Sequence, residues 1–388
     1  MKPYLIILCL LSVVIDTKLT YLIVFIVLLF NAPKVLIKAG KGRFHNKEAV
    51  FVFFLPFLVF LSWLYGGLVG FINGNEPAYV LSNFFGLAVY LLFYIFWVAS
   101  YNEQGLSGIY NWLSLFVVVL ILFNIYLFFA KGFTVGEGDS LSSGRIYMTS
   151  TMMYLYVPIA LILFKFRYGY SYIKGSNTKL AFYFSIVSFC FIVPALSKGF
   201  ILLYAVALLV FLSSFYFRKV SVSGLLFNVS LLFMIFMCVF SFFQSQYLEV
   251  LQATFGSSNA SNNLRNEQFH YLANEVTMHG SGLGATLESG YKRDETGYGF
   301  ELTYINLVHK LGFFALFIFL TQFYTVLKGA QYLFFGDKLF GVLVLSAMAY
   351  LIPGAANPML LSPNFVAIHC LVLALIFNRV NKKPLIGR

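Results

Sequence analysis

SQYLEVLQATFGSSNASNNLRNEQFHYLANEVTMHGSGLGATLESGYKRDETGYGF, residues 245–300, interrupts a chain that is otherwise mostly hydrocarbon, and no other polar stretch approaches its length. With Gln244 it forms a loop, 244–300, that holds Arg265, a glycine run (Gly280, Gly282, Gly284) and a charged patch (Lys292, Arg293, Asp294, Glu295). It stops at Glu301, where the next apolar run begins. Connections longer than about 15 residues between helices are usually functional or disordered. The stretch reads as the working surface of the protein, and the apolar runs around it as the scaffold that positions it.

Composition names the solvent of that scaffold. The chain has 388 residues, 60% hydrophobic and 10% charged, where a soluble domain carries about 25% charged residues. Its mean hydropathy is +0.85. So much apolar surface calls for a bilayer. A spanning helix needs about 20 apolar residues, which predicts an all-α polytopic membrane protein of about 12 transmembrane helices, a single integral membrane domain over residues 1–388. The abundant Phe (47) and Tyr (26) suit lipid-facing helices with interfacial rings. The cysteines Cys9, Cys190, Cys238 and Cys370 all lie inside apolar runs, without metal or disulfide spacing.

The net charge of +12 raises a nucleic-acid reading, which the placement of the charges opposes. Residues 4–15 and 19–31 read as two short helices around a polar turn, with one tilted helix as the alternative. The loop with Lys34, Lys38, Lys41, Arg43 and Lys47 is the most basic in the chain and reads as cytoplasmic. Spans then follow at 49–72, 79–99, 110–130, 149–164, 180–195, 200–217, 222–243, 300–327, 339–353 and 365–379. In this topology 18 Lys/Arg fall in cytoplasmic segments and seven outside, with Lys310 inside a span, and 11 acids lie outside or at the outer interface against three inside. The long loop, with six acids and three bases, faces outward, and both termini are cytoplasmic.

Chemistry then has few places to reside. Arg145 lies where an outer loop re-enters the membrane, a depth at which arginine is paired, functional or snorkelling. Arg265 lies on an amphipathic helix, NLRNEQFHYLANEVTMHG, with Phe269, Leu272 and Val276 on one face and Gln268 as its neighbour on another. A planar, permanently charged fork suits phosphate; a solvated charge or a pair with Glu267 or Glu249 is the plainer reading. GSGLGA (280–285) can present backbone N–H groups to an anion or be a simple turn, and no βαβ unit accompanies it. Glu301 and Tyr304 mark the outer mouth of span 300–327, with His309 and Lys310 deeper in it. A carboxylate at such a mouth suits a general base, or partners the helix dipole. His309 reads more readily as a buried hydrogen-bonding residue, and Lys198 as an anion partner or a snorkelling lysine. No HExxH, DxD, Walker loop or GxSxG occurs. The polar residues gather at the outer face, which favours an extracytoplasmic reaction on a membrane-bound substrate.

The chain resembles bacterial O-antigen polymerases of the Wzy type and the related O-antigen ligases. The likeness rests on segments in family order: SGRIYMTSTMMYLYVP (143–158), LSKG (196–199), RNEQFHYLANEVTMHGSGLG (265–284) and ELTYINLVHKLG (301–312). Lys198 stands where the family has arginine, and Glu301 where ligases commonly have histidine, which favours polymerase over ligase. The resemblance implies a metal-independent glycosyltransferase without cofactor, acting on undecaprenyl-pyrophosphate-linked glycans at the periplasmic face of the inner membrane, with a chain-length regulator as partner and no nucleic acid. It implies Arg145 and Arg265 as pyrophosphate ligands with Lys198 as a weaker third, and Glu301 as base with His309 and His279 behind it. Tyr304, Gly282 and Gly284 complete the expected substrate-binding set. A ligase that transfers glycan to lipid A-core and a non-enzymatic transporter of lipid-linked glycan are the alternatives.

Overall fold

Asn46 starts the first well-defined helix and ties it to the last. Its side-chain oxygen accepts the Ala49 N–H at 2.7 Å, capping α1 (Lys47–Ile72). Its amide nitrogen donates to the Val380 carbonyl at 2.8 Å, satisfying an end group of α8 (Pro363–Val380). This computed structural model describes residues 44–98, 260–292, 297, 299–356, 360 and 363–381, with scattered helical positions at 26, 29–33, 35–37, 202 and 205. Apart from positions 202 and 205, the expected spans between 110 and 243 lie outside the described residues, as do Arg145, Lys198 and most of the charged patch.

The remaining elements are α2 (Pro77–Ala88), a 3-10 turn (Val89–Leu91), α3 (Leu92–Val98), α4 (Ala260–Glu275), α5 (Thr303–Leu311), a 3-10 turn (Gly312–Phe314), α6 (Ala315–Phe335), α7 (Lys338–Ala347) and 3-10 turns at Ala349–Leu351 and Pro353–Ala355. The described residues are mostly helical and carry no strand. Two of the helical runs, Lys47–Ile72 and Thr303–Phe335, are long and apolar enough to cross a membrane. The first runs about 39 Å at 1.5 Å per residue, against about 30 Å of hydrocarbon. The second turns at Gly312, whose φ of 55° and ψ of −134° separate α5 from α6. The chain divides into two compact units, one built from 1–106, 263–328 and 350–388, the other from 107–262 and 329–349.

In the first unit α1, α2–α3, α5–α6 and α8 surround an aromatic core. Phe53 packs edge-on or tilted against Phe93, Tyr94, Trp97 and Phe377, with ring centroids 5.0–6.4 Å apart. Polar cross-links join the helices where water is excluded. Thr325 Oγ donates to the Thr321 carbonyl at 2.8 Å and is hydrogen-bonded to His369 Nε2 at 2.9 Å. His369 Nδ1 is hydrogen-bonded to the Tyr90 hydroxyl at 3.1 Å, so the ring bridges two other helical segments. Such bonds hold helices together where the apolar effect between them is weak.

The two ends of α1 differ. At its start Glu48 pairs with Lys328 and accepts the Tyr324 hydroxyl at 3.0 Å. At its far end Tyr65 stacks on Phe314 at 4.1 Å, and the chain from 279 to 284 packs along Tyr65, Gly66 and Gly70. In the second unit Asp337 caps α7 by accepting the Phe340 N–H at 3.2 Å, and Tyr332 meets the Phe340 ring edge-on at 4.8 Å.

Candidate functional site

The site begins with the face that α4 buries. Phe269, Leu272 and Val276 were the expected apolar face; Leu272 is buried, while Phe269 is 52% and Val276 37% exposed. The helix ends at Glu275, earlier than the periodicity predicts. Its inner face is instead Arg265, Gln268, Leu272 and Glu275, at helical spacings of three and four, and three of these side chains are polar. Leu272 packs with Leu287 and Phe300 in a small satellite core, flanked by Tyr291, Leu302 and Ile305. The helix docks by hydrogen bonds as much as by hydrocarbon.

Arg265 Nε donates to Glu301 Oε2 at 2.8 Å, with side-chain exposures of 23% and 15%. Glu301 is thus a partner of Arg265 that proximity along the chain does not suggest, and Glu249, one of the two neighbours expected, lies outside the described residues. One turn on, Gln268 is buried, and its Oε1 accepts the N–H of Glu301 at 2.9 Å and of Leu302 at 3.0 Å. Leu302, the N-cap of α5, has no oxygen with which to cap it, so Gln268 supplies from another helix an acceptor just ahead of the helix start. The Thr303 hydroxyl donates to the Glu301 carbonyl at 3.2 Å. Glu301 is therefore held by its backbone from Gln268 and by its carboxylate from Arg265.

At the other end of α4, Glu275 gathers the returning chain. Its carboxylate accepts the Glu288 N–H at 2.8 Å and the Ser289 N–H at 3.0 Å. Burial pushes this carboxyl up, but the two N–H groups and the Ser289 hydroxyl outweigh it and hold it below the ordinary value.

The glycine run behaves as a strap. Ser281 N–H and Gly282 N–H donate to the carbonyls of His309 (2.8 Å) and Lys310 (3.0 Å), and Leu283 N–H to that of Gly66 (2.8 Å). Gly284 N–H donates to Asn83 Oδ1 at 3.2 Å, while Asn75 Nδ2 donates to the carbonyls of Ser281 and Leu283 at 3.0 and 2.9 Å. Gly282 has φ +86°, and a Cβ there would stand 2.3 Å from Gly70 N. Gly282 and Gly284 were expected to offer N–H groups to an anion; here those groups are donated to the protein, and the absence of a side chain permits close packing.

Tyr304 donates its hydroxyl to the Leu351 carbonyl at 2.7 Å. The His279 side chain is exposed, and its carbonyl accepts the Tyr65 hydroxyl at 3.0 Å. His309 is buried, with the Phe300 ring edge-on at 6.4 Å, and among the described residues neither of its ring nitrogens has a hydrogen-bond partner. The same holds for Asn306 Oδ1, one turn earlier on α5. Lys310, also buried, donates to Asn83 Oδ1 at 2.6 Å and lies 6.0 Å from the Phe300 ring centroid. Among the described residues no cluster of His, Cys, Asp and Glu is arranged to hold a metal ion.

The structure thus brings together Arg265 and Glu301 of the expected catalytic set and adds Gln268 to them. The signal for Gln268 was its position one turn from Arg265; nothing local marked its burial. No protein-family model matches the chain, and no curated protein or solved structure does either.

Proposed function

We propose that the chain is a membrane-embedded glycosyltransferase that polymerises lipid-pyrophosphate-linked oligosaccharide repeat units into O-antigen or a similar surface polysaccharide. The observation that carries the reading is the Arg265–Glu301 pair, set at the entrance of a helical run of membrane-spanning length. It supplies at one place the two groups the reaction requires. A guanidinium stabilises charge that develops on a leaving pyrophosphate, and a carboxylate accepts a proton from the attacking hydroxyl. The resemblance of segments 143–158, 196–199, 265–284 and 301–312 to O-antigen polymerases supports the same reading, with Arg145 and Lys198 as further anion partners.

In the reaction, a hydroxyl at the non-reducing end of the incoming lipid-linked unit attacks the anomeric carbon of the growing glycan. Its oxygen forms the new glycosidic bond while its proton passes to Glu301. The bond from the anomeric carbon to the pyrophosphate oxygen breaks, and that electron pair leaves on the lipid pyrophosphate at Arg265. The enzyme belongs in the bacterial inner membrane, with the loop 244–300 facing the periplasm.

The test is chain extension by the purified protein in lipid nanodiscs supplied with lipid-linked repeat units, read as a ladder on a gel. Removing one charge-stabilising donor from a transition state lowers rates by about 10²–10³-fold. Arg265→Ala and Arg145→Ala are each expected to lower extension by about that factor while protein still accumulates in the membrane. Normal ladders from both variants would remove the pyrophosphate assignment. Transfer to lipid A-core without a ladder would make the protein a ligase, and translocation without any new glycosidic bond would make it a transporter.

A further inference from the structure

Asn306 and His309 stand three residues apart on α5 and so share one of its faces. Both side chains are buried, each 1% exposed. Asn306 Oδ1 and both ring nitrogens of His309 nevertheless have no hydrogen-bond partner among the described residues. A buried polar atom without a partner has lost water and gained nothing for it, so such atoms in a folded chain call for an explanation. Other orphaned atoms, on Gln322, Ser346 and Asn378, lie singly on α6, α7 and α8. Asn306 and His309 are the two that share a helix face.

Their surroundings define what can satisfy them. The strap crosses α5 at this level through backbone bonds: Ser281 and Gly282 donate to the carbonyls of His309 and Lys310 at 2.8 and 3.0 Å and leave the imidazole unengaged. The imidazole meets the Phe300 ring edge-on at 6.4 Å, and Phe300 belongs to the small core with Leu272 of α4. The pair therefore lies beneath the 244–300 loop, one to two turns past the start of α5, where Glu301 meets Arg265. A neutral imidazole presents one donor and one acceptor, and Asn306 Oδ1 presents a further acceptor. An anion has no hydrogen to give to Oδ1. A cation is opposed by Lys310, buried beside His309 on the same helix. A neutral hydroxyl both donates and accepts, and fits. Nor is α5 needed to cross the bilayer. Gly312 separates it from α6, whose 21 residues alone run about 31 Å, a full hydrocarbon thickness.

We propose that Asn306 and His309 form a hydroxyl-binding subsite for the sugar next to the pyrophosphate of the lipid-linked donor, retained at a cost in stability because its polar atoms are paired only when that sugar is bound. This rests on the reading of the substrate as a lipid-pyrophosphate-linked glycan, but not on whether the protein polymerises it. With the pyrophosphate at Arg265, the sugar attached to it lies within a turn or two of the same helix. One sugar hydroxyl donates to Asn306 Oδ1, and another exchanges hydrogen bonds with the imidazole. The pair holds the sugar ring and moves no proton.

The experiment measures the binding of two lipids to the full-length protein in nanodiscs. One is the repeat unit linked to undecaprenyl pyrophosphate, extracted from the cells that make the protein; the other is undecaprenyl pyrophosphate without sugar. Asn306→Leu and His309→Leu are each expected to bind the sugar-bearing lipid about three- to tenfold more weakly, the effect of losing one hydrogen bond, and to bind the bare lipid as the unaltered protein does. His309→Gln keeps a donor and an acceptor and is expected to retain most of the affinity. Thermal unfolding in detergent, without the sugar-bearing lipid, separates this role from a structural one. Replacing an unpaired buried polar group by hydrocarbon removes its desolvation cost, so both Leu variants are expected to melt at or above the Tm of the unaltered protein, by up to about 3 °C. A lower Tm in both, or failure of both to fold, would show the pair satisfied within the fold and overturn the subsite. Undiminished binding of the sugar-bearing lipid would also overturn it, leaving a seat for ordered water only, and so would equal weakening toward both lipids. Selective loss of the sugar-bearing lipid in a protein that makes no ladder would keep the subsite and remove the polymerase reading. A ladder that both Leu variants extend normally, with undiminished binding, would do the reverse.

Discussion

Gln268 is the residue on which the local geometry turns. A neutral side chain in a polar helix, it is buried and accepts two backbone N–H groups from a segment more than 30 positions away in sequence. A buried N–H left without an acceptor costs about 1–3 kcal/mol, so Gln268→Leu is expected to weaken the docking of α4 on the start of α5 by about that amount. Hydrogen exchange at the Glu301 and Leu302 amides checks it: both should exchange faster by one to two orders of magnitude, about the factor that this energy implies. Gln268→Glu keeps an acceptor oxygen at the same reach and should retain most of the protection. The Arg265–Glu301 pair shows why the site was only half legible in the sequence. The residue types were readable, because a permanent cation and a carboxylate beside apolar runs are expensive and conspicuous. Their pairing was not, because the partners are 36 positions apart, and proximity along the chain offers Glu267 and Glu249 first.

At the scale of elements, the long apolar runs were legible and the docking faces were not. The predicted spans 49–72 and 365–379 correspond to α1 (Lys47–Ile72) and α8 (Pro363–Val380), since about 20 residues of continuous hydrocarbon leave little choice of structure. The run 79–99 is helical too, with a 3-10 turn at Val89–Leu91. α4 shows the opposite case. Phe269, Leu272 and Val276 have core spacing, yet tertiary contacts select Arg265, Gln268, Leu272 and Glu275 for the inner face. The glycine strap likewise carries no signal of what it touches, because Gly282 meets Gly70 from a distant part of the sequence. That contact is separable from backbone strain by comparing two glycines. Gly290 has φ +75° with open space around it, whereas a Cβ on Gly282, at φ +86°, runs into the Gly70 backbone. Gly290→Ala should cost about 1 kcal/mol, the strain of a left-handed residue. Gly282→Ala adds overpacking against backbone and should cost about 2–4 kcal/mol. Thermal unfolding in detergent should therefore rank unaltered protein, Gly290→Ala and Gly282→Ala in that order, and similar losses in the two variants would show that the close approach to α1 contributes little.

For the whole molecule, α1 works as a ruler. Its first turn carries Glu48, paired with Lys328, and follows the basic stretch that ends at Lys47. Its last turns carry the strap, through Leu283 N–H on the Gly66 carbonyl at 2.8 Å, and Asn75, just beyond the helix, donates to the carbonyls of Ser281 and Leu283. From Glu48 to Gly66 the helix runs about 27 Å, and over its whole length about 39 Å, against about 30 Å of a hydrocarbon core. With α1 across the bilayer, as the proposed topology has it, His45 before its first turn and His279, whose carbonyl is held by Tyr65 toward its other end, are expected on opposite sides, and the Lys and Arg ahead of α1 would put His45 on the cytoplasmic side. His279 is exposed, and Cys370, the cysteine within the described residues, is buried. A cysteine placed at either histidine is read in a chain whose Cys9, Cys190, Cys238 and Cys370 are first replaced by alanine. In intact cells with a permeabilised outer membrane, a membrane-impermeant maleimide is expected to label His279→Cys and to spare His45→Cys, and after disruption of the inner membrane to label both. Labelling of both before disruption would place the two ends of α1 on one side and remove the membrane-crossing assignment of that helix. Labelling of His45→Cys alone would invert the molecule and put the Arg265–Glu301 pair on the cytoplasmic face, where a periplasmic polymerisation could not use it.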